Sequence, residues 1–79
     1  MARKKAQPVE VEDVEIDLEI LREDLIMVLQ AINQLEEHRD LTVNYEAREA
    51  LVSIIGTEKQ NFTTLTQLIQ KLESSIAPK

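Results

Sequence analysis

The stretch "IIGTEKQNF", residues 54–62, holds the chain's one glycine and, three residues apart, a glutamate and an asparagine among apolar neighbours. Read as a boundary, Gly56 is a C-cap glycine and Thr57 with Gln60 opens a new helix through a capping box, which makes three helices. Read as helix interior, the stretch joins the halves of one long helix. The spacing favours the second reading. Ala47, Leu51, Ile54, Glu58, Asn61, Leu65, Leu68 and Leu72 follow one another at alternating steps of four and three, in phase through Gly56, which an interhelical turn would upset. Ile55, Phe62, Ile69 and Ile76 form a second row, seven residues apart, beside it. A glycine inside a helix costs about 1 kcal/mol relative to alanine, so Gly56 is expected to permit close approach of a neighbouring helix. Ser74 and Ser75 are expected to fray the helix before Pro78.

Upstream of this helix, "DLTVNYEA", residues 40–47, reads as a turn. Thr42 and Val43 are poor helix formers, and Asn44 is a good N-cap for a helix opening with Tyr45 and Glu46. Before the turn, Val11, Val14, Leu18, Leu21, Leu25, Val28, Ile32 and Leu35 keep a 3.5-residue spacing that a strand cannot use. The run "LIMVL", residues 25–29, is apolar throughout, so the middle of this first helix is expected to be covered on more than one side. Eight acids and one base, Arg22, lie between Glu10 and Asp24, near the helix end where the macrodipole favours negative charge. The near-alternation of "VEVED" leaves residues 9–13 open between helix, strand and coil.

The expected fold is all-α: an antiparallel helical hairpin of two long helices, about 11–41 and 45–74, joined by a turn at 42–44 and assembling as a four-helix bundle through homodimerisation. Residues 9–76 form its single domain. A basic tail at 1–8, with Arg3, Lys4 and Lys5, and a short tail at 77–79 flank it.

Composition narrows the function. Seventy-nine residues support at most one small core, and the absence of cysteine excludes disulfides and thiolate metal sites. A formal charge of −6 argues against nucleic acid, and Phe62 and Tyr45 alone supply no stacking platform for bases or planar cofactors. No apolar run approaches the roughly 20 residues that span a bilayer, nor does the start carry a signal-peptide pattern, so a cytoplasmic protein is expected. One glycine cannot build a phosphate-cradling loop. Thr63, Thr64 and Thr66 have no histidine base nearby in sequence, and no residue is assigned a catalytic or cofactor-binding role.

Within the second helix, Glu58 and Asn61 fall on consecutive core positions of the stripe. A buried carboxylate is expected to be protonated, paired, hydrogen-bonded or bound to a metal. The segments "AINQLEEH" (31–38) and "REALVSIIGTEKQNFTTLTQLIQKL" (48–72), with a short turn between them, resemble the small two-helix ferritin-like and rubrerythrin-like proteins of the encapsulated-ferritin type. That resemblance spans residues 21–72 and implies a hairpin that pairs into a four-helix bundle with iron at the subunit interface. It also places Glu58 at the glutamate of the family's Glu-x-x-His pair, with Asn61 standing where the histidine would be. A hairpin turning near residue 43 sets Glu58 opposite residues 28–30, where the family carries a carboxylate and this chain has Val28, Leu29 and Gln30. Asparagine is a poor iron ligand and valine is none.

The reading that follows is a non-catalytic oligomerisation or interaction module with a degenerate ferritin-like metal site and no cofactor. Its expected partner is a second copy, as a homodimer or higher homo-oligomer, with Leu25, Val28, Ile32, Gly56, Glu58, Asn61 and Leu65 at the interface. The alternative is a di-iron or divalent-metal protein whose site lies between subunits, with Glu58 as ligand and Glu37 and His38 as further candidates. Glu36, Glu37 and His38 are consecutive and point in different directions on a helix, so they converge on one ion only with help from another chain. A protein partner docking on acidic residues 9–24 is a third expectation.

Overall fold

The computed structural model describes residues 11–76, which form two helices, α1 (Val11–Leu41) and α2 (Tyr45–Ile76), with no strand among the described residues. The expected tails at 1–8 and 77–79, and residues 9 and 10, lie outside the described residues. Val11 to Asp13 are helical, as the apolar period requires of a chain that continues into Val14 and Leu18. The two helices pack side by side, antiparallel, as a short loop dictates.

The turn is built as its residues predict. The Thr42 amide bonds back to the Arg39 carbonyl at 3.2 Å, and the Thr42 hydroxyl donates to the His38 carbonyl at 2.5 Å, so two of the acceptors left over at the end of α1 are satisfied. Asn44 caps α2: its side-chain oxygen accepts from the Ala47 amide at 2.8 Å while its carbonyl takes the Arg48 amide at 2.9 Å. His38 and Arg39 sit in the last turn of α1, and Glu12 and Asp13 in its first, each charge opposing the dipole end nearest to it.

The first-helix stripe is the face that packs. Val14, Leu18 and Ile32 are buried, and Leu21, Leu25, Val28 and Leu35 are half-buried between them. On α2 the contact face is Leu51, Ile55, Glu58, Phe62, Leu65, Ile69, Leu72 and Ile76, with Ile55 and Ile69 fully buried. This corrects the expected stripe. Its members Leu51, Glu58, Leu65 and Leu72 do face α1, but Ala47, Ile54, Asn61 and Leu68 are exposed, and the row Ile55, Phe62, Ile69 and Ile76 takes their places. Both sets repeat every seven residues and differ by one position, about 100° around a helix. The sequence therefore offers two overlapping faces, and the one with bulkier side chains wins the contact.

α2 is continuous through Gly56. Thr57 does not open a new helix; its hydroxyl bonds back to the Ser53 carbonyl at 3.4 Å, the usual arrangement for a threonine inside a helix. Gly56 has no positive φ, and a Cβ built on it would meet nothing within 4 Å. Close approach of a helix at Gly56 is thus not a feature of the hairpin itself. The end of α2 also differs from expectation, for the helix runs to Ile76, whose half-buried side chain packs on the Val14, Leu18 and Ile69 cluster and holds the last turn.

Two substitutions test this account by urea denaturation. Asn44→Ala should cost about 1 kcal/mol, the usual worth of an N-cap side chain. Gly56→Ala should add up to about 1 kcal/mol, since nothing in the hairpin opposes the methyl and the unfolded chain loses freedom.

Candidate functional site

Glu58 is half-buried on the contact face of α2, and Asn61 is exposed one turn on. The Asn61 amide donates to Glu58 Oε1 at 3.3 Å within the same helix. Asn61 is therefore not a core residue: it stands beside the packed face and reaches across it to the carboxylate.

The level of Glu58 along the hairpin also differs from expectation. Lys59, its neighbour, pairs with Glu36 at 3.2 Å, which sets this turn of α2 beside the last turns of α1. Val28 instead lies next to Asn61, Thr64 and Leu65, farther along. Two features shift the register. Residues 45–50 are all exposed, so α2 meets α1 only from Leu51 onward. Side chains on each helix also tilt toward its N-terminus, and in an antiparallel pair this offsets contacting residues in opposite directions.

The metal candidates do not come together. Glu36 faces Lys59, whereas Glu37 and His38 are exposed at the end of α1. Among the described residues, no three His, Cys, Asp or Glu side chains converge on a point that could hold an ion. In a single chain, Glu58 thus has a hydrogen-bond partner but, among the described residues, no ligand set.

What the hairpin does present is an uncovered apolar flank. Helical periodicity puts Asp17, Ile20, Asp24 and Met27 on one side of the α1 contact stripe, and Arg22, Leu29 and Glu36 on the other. On α2 the matching sides are Ile54, Asn61, Thr64 and Leu68 against Val52, Lys59 and Glu73. The second flank is tied by two ion pairs, Arg22–Glu73 at 2.6 Å and Lys59–Glu36 at 3.2 Å, near either end. Both pairs are half-exposed and worth little in energy, but they cover that seam with charge.

Among the described residues the first flank carries no such pair. Instead it holds two shallow grooves in line. One, of about 370 Å³, is lined by Asp24, Met27, Val28, Asn61, Thr64 and Leu65. The other, of about 380 Å³, is lined by Asp17, Ile20, Leu21, Leu68 and Leu72. Ile20, Met27, Ile54 and Leu68 are between 40 and 63% exposed along it. Of the residues expected at an interface, Val28, Asn61 and Leu65 line the first groove. Leu25 and Ile32 pack inside the hairpin, and Gly56 opens onto solvent. Ile20, Asp24, Met27 and Thr64 were not expected at an interface from sequence, and Met27, expected to fill the core, is 63% exposed. For Met27 the signal was the run "LIMVL", residues 25–29, of which Ile26, Met27 and Leu29 remain exposed.

The chain matches no protein-family model, no curated protein and no solved structure. No helix of the described residues is long and apolar enough to cross a membrane.

Glu58 occupies a position that Leu51, Leu65 and Leu72 fill at seven-residue intervals. Glu58→Leu should therefore stabilise the hairpin by about 1 kcal/mol, the worth of a half-buried leucine, shown as a higher urea midpoint with an unchanged m-value.

Proposed function

We propose that this chain is a non-catalytic helical module that works by pairing with a second copy of itself, two hairpins forming a four-helix bundle. The observation that carries the reading is the grooved flank: four large apolar side chains stand exposed in line, beside Val28 and Leu65, which are half-covered. Stable domains pack two layers around a core. This hairpin is a single layer of two helices, with five buried hydrophobic residues among those described.

Area favours a second copy as the missing layer. A face 32 residues long, about 48 Å, and two helix diameters across, about 20 Å, offers roughly 1,000 Å², above the roughly 800 Å² per partner of a standard interface. Met27, 63% exposed at mid-helix, would be sheltered by such packing. In this reading the resemblance to two-helix ferritin-like proteins extends to assembly and not to chemistry. Glu58 and Asn61, bonded to each other, are what remains of a ligand pair.

Sedimentation equilibrium tests the proposal. At micromolar concentration the 9.1 kDa chain should sediment at twice its mass, and its melting temperature should rise with concentration because dimerisation stabilises only the folded state. A folded monomer with a concentration-independent melting temperature would refute it.

A further inference from the structure

The two helices differ sharply in charge. α1 carries ten carboxylates against two arginines, whereas α2 carries four carboxylates against one arginine and two lysines. Both contribute one edge of the grooved flank, and each edge has its own polar chemistry. On α1 the polar side chains are Asp17 and Asp24, which as carboxylates only accept hydrogen bonds. On α2 they are Asn61 and Thr64, which can donate, and Lys71 lies seven residues beyond Thr64 on the same side.

Two hairpins can stack these flanks on a twofold axis in either of two antiparallel ways. With the axis across the helices, α1 lies on the α1 of the partner. Asp24 then approaches its own symmetry mate near the middle of the bundle, and the two acidic helices face each other. With the axis along the bundle, α1 lies on the partner's α2, residue levels are kept, and every neighbouring pair of helices is antiparallel. We infer that the second copy binds the grooved flank in this axial arrangement, α1 of each chain on α2 of the other. This rests on the dimer proposed above.

The axial arrangement matches unlike edges at every level. Asp24 meets the amide and hydroxyl donors of the partner's Asn61 and Thr64. Asp17 meets the partner's Lys71, and Ile20 packs against the partner's Leu68. Isoleucine and leucine line one groove in each chain, so pairing the grooves buries four such side chains together. Like-charge juxtaposition is avoided, which sets register and orientation more than it adds affinity. The Asn61–Glu58 hydrogen bond orients the asparagine at the rim of the central groove.

Cysteine pairing distinguishes the arrangements, since the chain has no cysteine of its own. Ile20→Cys and Leu68→Cys variants, one carrying a tag, are co-refolded from urea and oxidised mildly. The axial bundle predicts a mixed disulfide dimer in at least several-fold excess over either variant's self-linked form, and little self-linking of Met27→Cys. Efficient self-linking of Met27→Cys, with no mixed product from Ile20→Cys and Leu68→Cys, would overturn the inference in favour of α1 on α1. Charge insertion settles the face independently. Met27→Glu should turn the dimer into monomer, while Leu29→Glu on the ion-paired flank should leave it intact. The reverse pattern would overturn the inference and spare the dimer, whereas a monomeric unsubstituted chain would overturn both.

Discussion

Two helices packed side by side can each hide one stripe from water, and the rest of this structure follows from that limit. The hidden stripe of α1 is Val14 to Leu35 and that of α2 is Leu51 to Ile76, interleaved around Leu18, Ile55 and Ile69. With no cysteine and no metal cluster among the described residues, apolar packing is what the pair has to hold itself together. Apolar side chains beyond the stripes are left at the surface, and on the grooved flank they fall into line. Among the described residues nothing covers them, and this bare flank is the feature on which the proposed pairing rests.

The polar residues divide between fixing the hairpin and shaping its open side. Asn44 and Thr42 complete the turn by satisfying backbone groups that the helix ends leave over. Arg22, Glu73, Lys59 and Glu36 bridge one seam, where their half-exposed pairs mark the register more than they stabilise it. Asp17, Asp24, Asn61 and Thr64 lie on the other seam, among apolar neighbours. Polar groups scattered through an apolar surface restrict which partner and which orientation fit, because each misplaced group loses its hydrogen bonds with water without gaining others.

Glu58 shows how a local pattern can mislead about chemistry. Its spacing from Asn61 resembles a metal-ligand pair, and both stood in the stripe read from the sequence. In the folded chain the two bond to each other, Asn61 outside the packed face, and Glu37 and His38 point into solvent at the far end of α1. Ligand spacing along one helix says which residues share a face. It does not say what stands across from them, which depends on the register of the neighbouring helix.

By itself the sequence determined two helices, their antiparallel pairing, the turn at residues 42–44 with its Asn44 cap, and the α1 stripe from Val14 to Leu35, and it favoured the passage of α2 through Gly56. These are local properties: apolar period, capping chemistry and loop length act within a few residues of each other. Only the tertiary structure decided which of two overlapping faces of α2 packs, where along α2 that packing begins, and which flank stays bare. The reason is the same in each case. Faces one residue apart share the same seven-residue period, so the choice falls to which side chains fill the space against the opposing helix, a contact between residues tens of positions apart that no spacing within one helix records.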